Sequence, residues 1–157
     1  RHNIGFLFLD YLVEKEKFSE FKLESKFKWE TSSWNFNWEK TILLKPNTFM
    51  NLSWESIKKV IDFYKINTEN ITVIYDDLSM DFWKLRFRDK WSAWWHNWIK
   101  DMIKYLWLEF KRIKIGIWLD NNYEVSDWVL SKFTTEELKD LNNKIFTETY
   151  SLIKEKG

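Results

Sequence analysis

Apolar residues recur at helical spacing in three parts of the chain, and each part predicts an amphipathic helix. These predicted helices span residue 4 to about residue 17, Ser53 to about residue 64, and residues 99–106. Ser53 is suited to cap the second of them. A fourth helix is predicted from about residue 134 to about residue 154, because Thr134 and Glu137 form the Thr-x-x-Glu pattern of a capping box.

Short apolar or alternating runs between these helices predict strands. The runs lie within residues 22–45, with a hairpin near Asn37, and at residues 71–75, 84–88, 113–117 and 128–130. The run at 71–75 is almost wholly apolar and β-branched, which is typical of a strand covered on both faces in a parallel sheet. We therefore predict an α/β fold, one single domain over residues 1–157 with a mixed, largely parallel sheet flanked by helices.

Composition excludes some function classes. Lys and Arg (25) nearly balance Asp and Glu (24), so a nucleic-acid-binding role would depend on a local basic patch. The absence of cysteine excludes disulfides, thiolate metal sites and a cysteine nucleophile, and it suits a reducing cytosol. No apolar run approaches the roughly 20 residues that a membrane span needs. We expect a cytoplasmic protein without a membrane partner.

Tryptophan and glycine occur in unusual numbers. The 157 residues include 12 tryptophans and 3 glycines, whereas glycine makes up about 7% of ordinary proteins. Trp38 lies where a hairpin turn favours glycine, and Trp107 lies where glycine commonly ends a helix. We hypothesise that most of these tryptophans are glycines in the natural protein, encoded by UGA in an organism that translates this codon as glycine. The alternative is a genuinely tryptophan-rich protein, and Trp128 fits a true tryptophan in either case.

Two histidines, His2 and His96, are the candidates for proton transfer. An imidazole titrates near neutral pH, and a carboxylate can orient it. Asp76 and Asp77 directly follow the most apolar predicted strand, at the edge of an α/β sheet where ligands tend to bind. Acidic residues at such an edge also cap helices or face water, so position alone leaves their role open.

Other polar residues add candidates for binding. Asn51 and Asn97 can hold a water, an amide or a ribose, or they can be turn residues. Arg86, Arg88 and Lys114 can contact phosphates, or they can belong to a solvated strand face. The sequence contains no phosphate loop, nucleophile elbow or zinc-spaced histidine cluster. The residues alone thus predict an α/β domain with a candidate His and Asp site and leave the reaction open.

Several segments, taken together, resemble the bacterial peptidyl-tRNA hydrolase family over nearly the whole chain. They are RHNIGF (residues 1–6), LKPNTFMNLS (44–53), IYDDL (74–78), SAWWHNW (92–98) and FKRIKIGI (110–117). Family glycines stand where this sequence has Trp54, Trp83, Trp91, Trp94, Trp95, Trp98, Trp107 and Trp118. The family's opening strand has no counterpart here, so we expect the chain to lack it. Ser79 also departs from the pattern, since the family usually has an acidic residue there.

The resemblance implies a monomeric, cytosolic esterase that hydrolyses the ester bond of peptidyl-tRNA without a cofactor or a metal. It implies that His2 is the general base that activates water and that Asp76 orients its imidazole. The remaining site residues implied by the family are Phe49, Met50, Asn51 and Asn97 around the substrate, and Arg86, Arg88 and Lys114 at the tRNA phosphates. The alternatives are a catalytically inactive RNA-binding relative of the same fold and a truncated gene product without function.

Overall fold

The computed structural model describes six stretches of the chain, residues 1–24, 29–36, 39–46, 53–89, 110–120 and 122–156. The chain divides into two compact units. Unit 1 comprises Arg1–Tyr11, Thr72–Arg88 and Lys111–Gly157, and unit 2 comprises Leu12–Ile71 and Asp89–Phe110. The helix predicted at 99–106 lies outside the described residues.

The described elements are helices and strands in alternating groups. The helices are α1 (Ile4–Glu16), α2 (Ser53–Tyr64), α3 (Val125–Leu130), α4 (Thr135–Asp140) and α5 (Phe146–Lys156). The strands are β1 (Lys22–Glu24), β2 (Trp29–Phe36), β3 (Glu39–Pro46), β4 (Thr72–Asp77), β5 (Leu85–Arg88) and β6 (Lys111–Gly116). A 3-10 helix (Thr68–Asn70) precedes β4, and a π-helical turn (Leu141–Ile145) joins α4 to α5.

Unit 2 contains an antiparallel sheet in the order β1-β2-β3. Phe36 pairs with Glu39, which confirms the hairpin predicted near Asn37. Within α2, Val60 is buried, whereas 42% of Tyr64 in the last turn is exposed.

Unit 1 contains a mixed sheet in the order β4-β6-β5. β4 and β6 run parallel, and β5 pairs antiparallel with β6. The α/β class predicted from the sequence is confirmed. The predicted capping box is also present, because the Thr134 hydroxyl accepts from the Glu137 backbone while the Glu137 carboxylate accepts from the Thr134 backbone.

The core of unit 1 places the first turns of α1 against the sheet and the C-terminal helices. Its fully buried apolar residues include Ile4, Phe8, Ile113, Ile115, Ile117, Leu141, Ile145 and Phe146. The rings of Phe8 and Phe146 meet edge to face at 5.4 Å. A Cβ on Gly5 would lie 2.5 Å from the carbonyl oxygen of Ile74, so only glycine lets α1 approach β4 this closely.

The strand predicted at residues 128–130 is wrong, since these residues end the helix α3. Trp128 and Val129 are strand-prone residue types, but together with Val125 they recur at the i, i+3, i+4 spacing of a helix. A three-residue run is too short for its residue types to outweigh that spacing. None of the helices in the described stretches has the length and apolar character needed to cross a membrane.

Among the tryptophans that the structure describes, Trp83 has a φ of 65° and Trp118 a φ of 28°, both in the left-handed region of backbone space. Their backbones are held there, because Trp83 N donates to Gly116 O at 2.9 Å and Trp118 N donates to Met80 O at 3.2 Å. Glycine adopts this conformation without the steric cost that a Cβ brings. The geometry therefore supports the hypothesis that these two positions are glycine in the natural protein.

Candidate active site

His2, a candidate for proton transfer, and Asp76, which the family resemblance implies as the residue that orients it, lie in contact in unit 1. Nδ1 of His2 is 2.9 Å from Oδ1 and 2.8 Å from Oδ2 of Asp76. The Asp76 side chain is 4% exposed and that of His2 is 29% exposed. A buried carboxylate therefore holds an imidazole that stays accessible to solvent.

Backbone interactions on both sides of this pair fix its position. Asp76 lies on β4, paired in register with Ile115 of β6. His2 lies two residues before the start of α1, and its backbone N–H donates to Val129 O at 2.9 Å. Gly5, three residues after His2, allows α1 to approach Ile74, two residues before Asp76. The imidazole and the carboxylate meet because α1 and β4 meet.

The hydrogen bond defines which nitrogen of His2 can act as a base. An ionised carboxylate only accepts hydrogen bonds, so the proton of the neutral imidazole lies on Nδ1 and points at Asp76. The lone pair is then on Nε2, at the opposite side of the ring. This arrangement is suited to taking a proton from a water molecule through Nε2.

Asp77, next to Asp76, takes part in a separate cluster. Its carboxylate contacts Lys114 Nζ at 2.8 Å and accepts hydrogen bonds from the backbone and hydroxyl of Ser79. Burial acts to raise the pKa of Asp77, but the hydrogen bonds from Lys114 and Ser79 and the charge of Lys114 hold that pKa below its ordinary value. Ser79, which departs from the family pattern, thus helps to keep Asp77 ionised.

The basic candidates project from the sheet face opposite to Asp76. Lys114 pairs in register with both Tyr75 and Arg86, which places these three side chains on one face, while Asp76 alternates to the other. Arg88 lies two residues after Arg86 and shares its face. Arg86 and Arg88 are exposed, whereas the side chain of Lys114 is 20% exposed and is paired with Asp77.

The other residues implied by the family resemblance, Phe49, Met50, Asn51 and Asn97, lie outside the described residues. The second histidine, His96, does so too. In the part of the chain that the structure describes, no three imidazole or carboxylate side chains are grouped closely enough to hold a metal ion.

The sequence did not predict the contacts of Arg1, which lies next to His2. The guanidinium of Arg1 contacts Glu137 and Ser131 and lies 4.1 Å from the centre of the Trp128 ring. No local pattern around Arg1 signals these contacts, because its partners lie about 130 positions away along the chain. Only the capping box at Thr134 marked Glu137 in advance.

Comparisons with known proteins agree on one family. A family model described as peptidyl-tRNA hydrolase matches residues 1–155. Peptidyl-tRNA hydrolase of Exiguobacterium sp. is 45% identical and that of Bacillus cereus (strain Q1) is 47% identical, each over 147 residues that make up 92% of this chain and 78% of the relative. A crystal structure of peptidyl-tRNA hydrolase from Acinetobacter baumannii matches with a TM-score of 0.84 at 29% identity, covering 98% of this chain and 80% of that one.

Proposed function

The chain belongs to the peptidyl-tRNA hydrolase family, and we propose that it hydrolyses the ester bond between peptide and tRNA in peptidyl-tRNA. This activity recycles tRNA from stalled or aborted translation. The observation that carries the proposal is the contact between His2 Nδ1 and the buried carboxylate of Asp76. It supplies an oriented general base, which can activate a water molecule for attack on an ester.

The proposed reaction starts with a water molecule beside Nε2 of His2. Nε2 accepts a proton as the water oxygen attacks the carbonyl carbon of the ester. The tetrahedral intermediate then collapses, the bond between the carbonyl carbon and the ribose oxygen breaks, and the imidazolium returns its proton to that oxygen. The products are the free peptide and deacylated tRNA.

Asp76 has two effects in this sequence of steps. Its carboxylate accepts a hydrogen bond from Nδ1–H and so keeps Nε2 as the basic nitrogen. It also places a negative charge beside the ring when the ring becomes positive. Because only 4% of the Asp76 side chain is exposed, water screens this attraction weakly.

The tRNA is proposed to bind through basic side chains on the other face of the same sheet. Arg86 and Arg88 are exposed there and can contact phosphates independently of sequence. Lys114 reaches Asp77, which lies on the same face as Lys114 at the carboxyl end of β4, directly after Asp76 in the chain. The acceptor end of the tRNA is proposed to pass this edge on its way to His2.

The proposal extends to the residues around the substrate and to the location and oligomeric state of the protein. We further propose that Phe49, Met50, Asn51 and Asn97, implied as site residues by the family resemblance, bind the peptide ester and the 3′ end of the tRNA. The protein acts as a cytoplasmic monomer in one domain and needs no metal or cofactor. An inactive RNA-binding relative would have no need of an oriented imidazole, so the contact between His2 and Asp76 favours the enzyme.

The test is single-turnover cleavage of an N-acetylated aminoacyl-tRNA by the full-length protein and its variants. His2→Ala is expected to lower the cleavage rate by at least roughly 100-fold, and Asp76→Asn is expected to lower it as well. Asp62→Asn, which changes an exposed carboxylate paired with Lys58, serves as the control. Cleavage by His2→Ala at the rate of the unchanged protein removes His2 from the mechanism.

A further inference from the structure

The guanidinium of Arg1 is enclosed in a site made by side chains of unit 1. Its Nη1 donates to Glu137 Oε1 at 2.8 Å, and its Nε donates to Ser131 Oγ at 2.9 Å. The ring centres of Trp128 and Phe133 lie 4.1 Å and 5.0 Å from the guanidinium carbon. Only 6% of the Arg1 side chain is exposed.

The walls of this site are fixed by contacts that do not involve Arg1. The second oxygen of Glu137 accepts the backbone N–H of Thr134 at 2.7 Å, which ties the carboxylate to the first turn of α4. The indole N–H of Trp128 donates to Ile117 O at 3.1 Å, just past the end of β6. The hydroxyl of Ser131 donates to Trp128 O at 2.7 Å, although its oxygen still accepts from Arg1. A cation thus enters a preformed acceptor site with an aromatic face.

The occupant of this site is joined by one peptide bond to His2. The residues before α1 belong to neither a helix nor a strand, so regular backbone pairing does not set the position of His2. The backbone N–H of His2 donates to Val129 O at 2.9 Å, within the same stretch that holds the guanidinium. Arg1 therefore anchors the segment from one side while Asp76 holds the imidazole from the other.

We propose that Arg1 is a positioning residue for His2, and that Glu137, Ser131 and Trp128 form its anchoring site. The inference rests on the proposed hydrolase function. In this proposal Arg1 acts through the backbone that it shares with His2 and takes no part in the proton transfer. It limits the positions that the His2 backbone adopts, and so keeps Nε2 aimed at the attacking water.

The experiment compares Arg1→Met and Glu137→Gln, which break the pair from its two sides, with Lys58→Met. Lys58→Met is the matched control, because it breaks the exposed ion pair with Asp62. Cleavage of an N-acetylated aminoacyl-tRNA is measured well below the melting temperature of each variant. Arg1→Met is expected to lower kcat by about 10- to 100-fold with KM unchanged, while Lys58→Met changes neither.

A spectroscopic signal separates positioning from a general effect on folding. The chain has two histidines, so the spectrum of ¹⁵N-histidine-labelled protein contains two imidazoles, and His2→Ala identifies the signals of His2. In Arg1→Met, the Nδ1–H resonance of His2 is expected to broaden or move upfield as its bond to Asp76 loosens. Arg1→Lys keeps the charge opposite Glu137 and is expected to restore part of kcat and part of this resonance.

The results for Arg1→Met and for the unchanged protein separate failure of the inference about Arg1 from failure of the proposed hydrolase function. If Arg1→Met folds and keeps both the full kcat and the Nδ1–H resonance, or if only its KM rises, the inference is overturned while the hydrolase function stands. If the unchanged protein does not cleave the substrate, the proposed function itself fails. If Arg1→Met is unfolded, Glu137→Gln decides, because glutamine can still accept from the backbone of Thr134.

Discussion

Gly5 lies so close to Ile74 that any side chain at position 5 would collide with the carbonyl oxygen of Ile74. A Cβ on Gly5 would lie 2.5 Å from Ile74 O. This contact sets the distance between α1 and β4, and with it the distance between His2 and Asp76. The geometry of the proposed catalytic pair thus depends on a residue that takes no part in the chemistry.

Gly5→Ala is expected to destabilise the protein and to slow cleavage. Alanine favours helix by about 1 kcal/mol over glycine, but forcing a methyl group against Ile74 O costs roughly 1 to 3 kcal/mol. Glu14→Ala, at an exposed position later in α1, is the control for helix propensity. Chemical denaturation measures both variants, and a Gly5→Ala protein more stable than the unchanged one would show that α1 retreats from β4 at no cost.

The tryptophans with positive φ give a prediction about both stability and coding. Trp118→Gly is expected to stabilise the protein by about 1 kcal/mol, because glycine adopts the left-handed backbone at this position without strain. Little packing is lost in exchange, since Trp118 is 51% exposed. The same gain is expected at Trp83, reduced by the loss of its contact with Phe82, whose ring centre lies 4.0 Å away.

Trp128 is the matched control, because it lies in α3 and donates its indole N–H to Ile117 O. Trp128→Gly is expected to cost roughly 3 to 5 kcal/mol. The coding DNA is expected to carry UGA at positions 83 and 118 and UGG at position 128. UGG at all three positions, with a loss of stability in Trp118→Gly, contradicts the glycine hypothesis.

The sequence predicts local elements in this chain well and long-range contacts poorly. Periodicity located α1, and two residues located the cap of α4, because both signals lie within one or two helical turns. The contact between His2 and Asp76 joins residues 74 positions apart, and only the family resemblance pointed to it. The anchoring site of Arg1 combines residues from helix ends and from the end of a strand, and no local sequence pattern predicts that these residues meet.

Acid is expected to weaken the protein partly through Glu137. Burial acts to raise the pKa of Glu137, but the hydrogen bond from Arg1, those of the capping box and the charge of Arg1 hold that pKa below its ordinary value of 4.5. The carboxylate therefore stabilises the folded state above its unfolded pKa, and the contribution is lost as the pH falls through the lower, folded value.

The measurement is the melting temperature of the unchanged protein and of Glu137→Gln between about pH 6 and pH 3. The difference between the two proteins is expected to be largest near neutral pH and to shrink in acid. Asp62→Asn, at an exposed carboxylate, is expected to show a smaller change over the same range. A difference that stays constant with pH would mean that Glu137 stabilises the protein through its shape and not through its charge.

Because the basic side chains and Asp76 lie on opposite faces of the sheet, substitutions of the basic residues are expected to affect tRNA binding separately from catalysis. Arg86→Gln and Arg88→Gln remove exposed charges from the face opposite to Asp76, so each is expected to raise KM with little change in kcat. Each is also expected to lower the salt dependence of tRNA binding, with the slope of log K against log salt falling by about one.

Lys114→Gln differs from both, because it also removes the partner of Asp77 and leaves that half-buried carboxylate with Ser79 alone. It is expected to lower stability as well as affinity, since removing Lys114 from this partly buried ion pair leaves the charge of Asp77 without a cation. Filter binding at several salt concentrations, together with denaturation, distinguishes the three variants. If Arg86→Gln and Arg88→Gln lower kcat and leave the salt slope unchanged, the tRNA does not follow this face of the sheet.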